Sequence, residues 1–411
     1  MDLRSGKPFW PVRQGLGGIY PPLHTPVECD VVVIGSGITG ALIAWRLVEA
    51  GLSTVMIDRR DCAMGSTAAS TAVIQYEIDT PLVELAELIG EKDAVKSYEA
   101  CREAIGSLAN IDSAIGKAGG FQNRRSIYLC SSDDDLKPLR KEYEFRQKHS
   151  FRCEWWTRDQ LLEQSDLNAT AAIVTPEAGD LNPFAFTHAL LSHACQRGLR
   201  LFDRTELTSW SQVDGGIELE TDREVTLKSR FAIFAGGFET TNHLKERVAK
   251  LISTYAFITE PITAWDGWPK GSVLWETARP YIYARQTEEN RLIFGGEDLP
   301  FKHETVRDHY LPKKIEKLTE RAREMFPRIN FEVAFSWAGT FAETDDGLPY
   351  IGEHPDSNRM LVAMCYGGNG ISYSVIAAEI CRDIILGKSH PMQQLFSLAR
   401  RERTKKWALF G

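Results

Sequence analysis

The stretch from Asp30 to Asp58, DVVVIGSGITGALIAWRLVEAGLSTVMID, constrains this chain more than any other. Val31 to Ile34 is a short continuous apolar run, as a strand buried on both faces requires. Gly35, Gly37 and Gly40 follow at G-x-G-x-x-G spacing, where a strand would turn into a helix. The first glycine permits a tight turn, the second lets backbone approach a pyrophosphate, and the third packs helix close on strand. A helix starting there turns free N–H groups and a partial positive charge toward phosphates. Leu42, Trp45, Leu47 and Val48 continue at helical spacing, Gly51 is placed to end the helix, and Thr54 to Ile57 reads as a second strand. Asp58, 23 residues beyond Gly35, can accept hydrogen bonds from an adenosine ribose. Strand, glycine turn, helix, strand and acid in this order predict dinucleotide binding, without saying which dinucleotide.

At 411 residues the chain exceeds what one core usually serves, so two domains are expected. The balance of 48 basic and 56 acidic residues argues against a general nucleic-acid-binding surface. Eight cysteines lie scattered without a C-x-x-C pair, which excludes the usual zinc and redox spacings and suits a reducing compartment. The first thirty residues, with Pro8, Trp10, Pro11, Pro21 and Pro22, hold no apolar core of signal-peptide length. No segment approaches the roughly 20 apolar residues of a transmembrane helix. A cytoplasmic protein with no metal, no nucleic-acid partner and no transmembrane segment is therefore expected; the oligomeric state is left open.

Residues 1–28 read as an irregular arm packed on the surface. The Gly65–Ala72 run, crowded with small residues and hydroxyls, suits close approach of a bulky planar or phosphorylated ligand, and equally a Ser/Thr-rich loop. Helices are expected from Lys92 to Ala118, Lys137 to His149, Pro183 to Arg197 and Pro312 to Met325. Strands are expected at Arg125 to Cys130, Phe231 to Phe234, Thr254 to Thr259, Tyr281 to Arg285, Arg291 to Phe294 and Met360 to Met364. On the Tyr281 strand, Tyr281, Tyr283 and Arg285 share a face. Gly367, Gly368, Asn369 and Gly370 fall between a strand and a helix start, again an anion or carbonyl binding device.

Together, the dinucleotide stretch, the Gly65–Ala72 run, Phe234-Ala235-Gly236-Gly237, Trp337-Ala338-Gly339 with Thr344, Asp346-Gly347, Pro349 and Ile351-Gly352, and Tyr366 to Ser372 resemble the D-amino-acid-oxidase-like FAD-dependent oxidoreductases. The glycine oxidase and sarcosine oxidase branch is the nearest in pattern. The resemblance implies an α/β fold, with a Rossmann-like FAD-binding domain of the glutathione-reductase type and a second, antiparallel-sheet substrate domain. The expected boundaries are 1–28 for the arm, 29–85, 165–240 and 335–390 for the FAD domain, 86–164 and 241–334 for the substrate domain, and 391–411 for a tail. It further implies that Gly35, Ser36, Gly37, Ile38, Thr39 and Gly40 hold the pyrophosphate, with Asp58 and Arg59 at the adenosine. Ser66, Thr67 and Ser70 would run toward the flavin, and Leu207, Ala235 and Gly236 would lie against the adenine side. Gly339 would border the flavin, and Gly368, Asn369, Gly370 and Ile371 would present amides to its carbonyls.

The implied chemistry is hydride transfer from an amine-bearing carbon of a small amine or amino acid to flavin N5. Phe341 stands where the glycine oxidase pattern has a carboxylate-binding arginine, and Gly368 replaces a nearby one. Ser372 stands for the lysine of the sarcosine oxidase branch, and Gly339 for its flavin-linking cysteine, so FAD is expected to be non-covalent. Tyr281, Tyr283 and Arg285 are the candidate substrate and catalytic residues, Arg285 replacing the lost anchor, with ordinary exposed strand residues as the other reading. Gln75 and Tyr76 are candidates to face the ring. His303, His354, Asp133 to Asp135 and the basic run from Arg400 to Lys406 read as solvated surface. Oxidation of a 2-hydroxy acid on the same frame, or a non-catalytic FAD-binding subunit, are the competing functions.

Overall fold

The computed structural model describes residues 3–15, 17–301, 303–364 and 366–400, and they form two sheets. The smaller sheet, of eight strands, is built around Val27–Ile34. This strand pairs in parallel with Thr54–Ile57 on one side and Thr226–Phe234 on the other. Arg200–Phe202 and Ser357–Met364 extend the parallel part outward. Val31 and Val33 point into one core cluster and Val32 into another, which explains the unbroken apolar run. Helices Ile38–Glu49, Pro183–Gln196 and Gly370–Ile385 cover one face, with the first packed against the other two. On the other side Leu207–Val213 and Gly216–Thr221 form an antiparallel extension from Thr226–Phe234.

The larger sheet has ten strands, among them Val333–Glu343, Lys250–Thr259, Leu292–Pro300, Ile282–Gln286, Ser272–Glu276 and Gln122–Leu129 in adjacent order. It is antiparallel except where Ser272–Glu276 runs parallel to Gln122–Leu129. The amphipathic helix Glu304–Met325 packs on it, burying Leu318 and Ala322 against Phe257, Phe294 and Phe326. This is the α/β fold expected, with the second sheet mixed at one pair.

Several local expectations change. The arm expected over 1–28 is only partly irregular: Arg4–Gly6 is an edge strand paired with Val333–Glu343 and helix Phe9–Gln14 buries Phe9 and Trp10, while residues 17–26 form neither helix nor strand. The expected boundaries also place Val73–Gln75, Ala171–Asp180 and all but the first two residues of Val333–Glu343 in the FAD half, whereas all three are strands of the larger sheet. The helix expected from Pro312 begins at Glu304 and carries Pro312 inside it. His303 caps that helix through Nδ1, which accepts from the Thr305 amide at 3.2 Å. His354 is buried, with its ring 3.0 Å from the His243 carbonyl. Arg400 is not solvated: it is buried, donates to both carboxylate oxygens of Asp346 at 2.8 and 3.2 Å, and reaches the carbonyls of Leu348, Pro349 and Leu395. Arg401 to Lys406 lie outside the described residues. Asp133–Asp135 form a 3-10 turn in which Asp135 accepts from Ser132 and Thr277.

A candidate dinucleotide cleft roofed by the tyrosine strand

A cleft of about 390 Å³ runs between the two sheets. At its floor, strand Val27–Ile34 ends in Gly35 at φ +113°, where a side chain would also strike the Ala235 carbonyl at 2.6 Å. Gly40 has no room at all, since a Cβ there would lie 1.9 Å from the Gly35 carbonyl oxygen. That carbonyl is what the third glycine of the motif lets the helix approach. The Thr67 hydroxyl accepts from the Ile38 amide at 3.0 Å, so the hydroxyl-rich run is stitched onto the helix start. Thr39 bonds Ser374 at 2.7 Å, joining the first glycine turn to helix Gly370–Ile385.

Asp58 closes one end of the cleft. It accepts from the Ser36 amide and hydroxyl, both at 2.7 Å, and from the Arg60 amide at 2.8 Å. Burial pushes its carboxyl above the usual range, and these bonds only partly offset that. Arg59 and Arg60 both pair with Glu239, Arg60 at 2.8 and 2.9 Å. Of the expected cofactor residues, Gly35, Gly37, Ile38, Thr39, Asp58, Arg59, Ser66, Thr67, Ser70, Leu207, Ala235, Gly236, Gly339, Gly368, Gly370 and Ile371 line the cleft. Ser36, Gly40 and Asn369 stand behind it. Ser36 is consumed by Asp58, Gly40 by helix packing, and the Asn369 amide donates to the carbonyls of Gln75 and Glu77 at 3.0 and 2.9 Å. The Gly368 amide is also taken, by Asp79 at 2.7 Å, which leaves Gly370 and Ile371 of that cluster with first-turn amides at the cleft.

The walls beside Ser70 are fixed by three consecutive carbonyls. Ala69 O accepts from Trp337 Nε1 at 2.8 Å, Ser70 O from Trp10 Nε1 at 2.7 Å, and Thr71 O from Arg285 Nε at 2.6 Å. Gln75 lines the cleft, and its Oε1 is buried without a hydrogen-bond partner. Tyr76 does not face the cleft; it stacks on Phe151 in the core.

The larger sheet roofs the other end. Tyr281, Tyr283 and Thr254 line the cleft there, with Tyr283 Oη and Thr254 Oγ1 3.1 Å apart. Burial raises both tyrosine hydroxyls well above their ordinary range. Arg285 shares their face in sequence but lies deeper, 1% exposed and outside the lining. Its guanidinium is spent on Thr71 O, on Leu181 O at 3.0 Å and on Asp180 at 3.4 Å. It is therefore not the free carboxylate anchor expected. Phe341 lines the cleft, and Ser372 is buried behind it.

Three acids that sequence reasoning passed over meet at this end. Asp79 lines the cleft, while Asp298 and Glu343 line a groove that shares Asp79, Tyr281 and Gly367 with it. Arg60 and Glu239, which line the cleft at the Asp58 end, were missed as well. An isolated Asp79 just after the hydroxyl-rich run was a usable signal; Asp298 and Glu343 come together only through strand pairing. Among the described residues no group of three or more His, Cys, Asp or Glu is placed to hold a metal ion.

The geometry suits a long dinucleotide: helix amides at a glycine turn for phosphates, a carboxylate for a ribose, and an unpaired acceptor with helix-start amides for a planar ring. The comparisons agree. Residues 30–384 match the FAD dependent oxidoreductase family, DAO. A glycine oxidase of Geobacillus kaustophilus is 24% identical over 383 residues, spanning 90% of this chain and 97% of that one. A putative Rieske 2Fe-2S iron-sulfur protein, YhfW, of Bacillus subtilis is 24% identical over 398 residues, 95% of this chain and 75% of the relative. The crystal structure of glycine oxidase from Geobacillus kaustophilus superposes with TM-score 0.76 at 20% identity, over 90% of this chain and 98% of that one.

Proposed function

The chain belongs to the FAD-dependent oxidoreductase family, and from that premise we propose that it oxidises the C–N bond of a small-molecule amine or amino acid, with FAD held non-covalently along the cleft. The observation that carries the reading is the sharing of one cleft by the glycine turn, Asp58, Gln75 and the Tyr281–Tyr283 strand. Gly35, Gly37 and Thr39 would hold the pyrophosphate, Asp58 the adenosine ribose, Leu207, Ala235 and Gly236 the adenine side, and Gly370, Ile371 and Gln75 the flavin ring. Bound FAD supplies a hydride acceptor at N5.

The residues of this chain supply position and electrostatics. Tyr281 and Tyr283 hold the substrate under the roof, and the surrounding sheet keeps water from the reacting carbon. Held there, the substrate would lose its carbon-bound hydrogen with the bonding pair as the nitrogen lone pair closed an iminium, and water would hydrolyse that to a carbonyl with release of the nitrogen as ammonia or an amine. The nitrogen must enter unprotonated. Arg285 acts as a positioning residue through Thr71. A cytoplasmic setting fits the free cysteines among the described residues and the absence there of a helix long and apolar enough to cross a membrane.

The test is an anaerobic screen of amines, amino acids and 2-hydroxy acids, read by loss of flavin absorbance. Bleaching by a member of the first two classes is expected. Bleaching by hydroxy acids alone, or by nothing, would overturn the reading in favour of a hydroxy-acid dehydrogenase or a non-catalytic FAD-binding subunit.

A further inference from the structure

The groove that opens from Tyr281 toward solvent carries more carboxylate than its neighbours neutralise. Asp298 reaches the Thr254 hydroxyl with part of its carboxylate, but Oδ1 is buried with no hydrogen-bond partner. The residue as a whole is partly exposed, because the groove runs past it. Asp79 and Glu343 face Asp298 closely enough to disfavour its ionisation, and all three carboxyls stand above their usual range, chiefly through burial. Tyr281 lies among the three.

Of the cations nearby, Arg279 already offsets part of the charge of Asp79 and Glu343. Arg279 donates to the carbonyls of Glu276, Thr277 and Ala278 and lies 5.1 Å over the Tyr281 ring. Lys314 is bound to Glu297 at 2.6 Å, and Lys250 to Asp345 at 3.2 Å. Buried charge is ordinarily paired, so three facing carboxylates with an unpartnered oxygen define a place for a cation.

We propose that this groove binds an ammonium group, and that the substrate is an amine carrying a second positive charge, of the diamine or polyamine class. The inference rests on the amine-oxidising reading above. The reacting nitrogen must be neutral, so the charge held by Asp298, Asp79 and Glu343 belongs to a second nitrogen farther along the molecule. A zwitterionic amino acid would place its carboxylate against these acids.

The test uses FAD-loaded protein titrated with 1,4-diaminobutane, 1-aminobutane and 4-aminobutyrate, with heat of binding and perturbation of flavin absorbance as readouts. One charge-assisted contact predicts that the diamine binds on the order of tenfold more tightly than the monoamine, with the aminobutyrate weakest. Asp298→Asn and, separately, Glu343→Gln each reduce that preference at unchanged FAD content. Equal or tighter binding of 4-aminobutyrate, or a preference intact in both variants, overturns the proposal. Failure of the enzymatic reading is distinct: the diamine preference persists, while no amine or amino acid bleaches the flavin.

Discussion

Arg285 Nε donates to the carbonyl of Thr71 across 2.6 Å, although 214 positions separate them in sequence. With Trp337 on Ala69 and Trp10 on Ser70 it forms a row of donors that sets the backbone beside the cleft. The strand face that carries Tyr281 and Tyr283 thus ends in a residue that shapes the wall of the cleft.

Arg285→Lys keeps the charge but loses the planar fork that reaches Thr71, Leu181 and Asp180 together. The FAD dissociation constant should rise about tenfold, read by equilibrium dialysis, for the loss of one to two hydrogen bonds to a charged group. The apparent KM for the amine should stay nearly constant. A raised KM with FAD affinity intact would make Arg285 a substrate anchor.

Gly40→Ala places a methyl group 1.9 Å from the Gly35 carbonyl oxygen, a contact only backbone movement can relieve. The variant should purify without flavin, as the absorbance near the visible flavin band reports. Normal flavin content would contradict the packing.

Asp298 has its carboxyl pushed up to about 7, mainly by burial. The folded state therefore holds a proton that the unfolded chain releases at lower pH, so stability falls as pH rises from the ordinary carboxylate range through about 7 and is flat above it. Asp298→Asn, which cannot ionise, should raise the urea midpoint at pH 8 and change it little at pH 4. The same sign holds for Asp79 and Glu343. A midpoint lowered at pH 8 would show that Asp298 is stabilised as an anion.

Arg400→Met removes one partner of a buried pair: among the described residues Asp346 keeps only the Thr344 hydroxyl and the Leu348 amide, and the carbonyls of Pro349 and Leu395 lose the guanidinium. Breaking such a pair from one side costs about 3–5 kcal/mol, so the unfolding midpoint should fall markedly. Asp346→Asn should cost less, because an amide still accepts at Oδ1. Equal losses would mean that packing on Tyr350, not the pair, fixes Arg400.

The dinucleotide half was legible because its signals are local: the Val31–Val33 run, three glycines and Asp58 fall within one βαβ unit, and each backbone demand is met by a residue type visible in sequence. Gly35, Gly37 and Asp58 accordingly stand at the cleft. What escaped depends on long-range pairing. Arg285 alternates with Tyr283 and Tyr281, so periodicity alone gives all three one face; Asp180, brought in by the strand Ala171–Asp180, draws only Arg285 inward. Trp10 and Arg400 read as surface because their partners, Ser70 and Asp346, are remote in the chain. Asp79, Asp298 and Glu343 meet from three different segments, and no spacing rule joins them.

The row of donors on Ala69, Ser70 and Thr71 also fixes an order of events during synthesis. Its members come from the beginning, the later middle and the last quarter of the chain, so a nascent polypeptide that already displays the whole glycine turn still lacks the Trp337 clamp. Domains otherwise tend to fold from the N-terminus as they leave the ribosome. FAD that depends on this wall would then be taken up only after Trp337 has been made, so bound flavin would report that distant parts of the chain have come together.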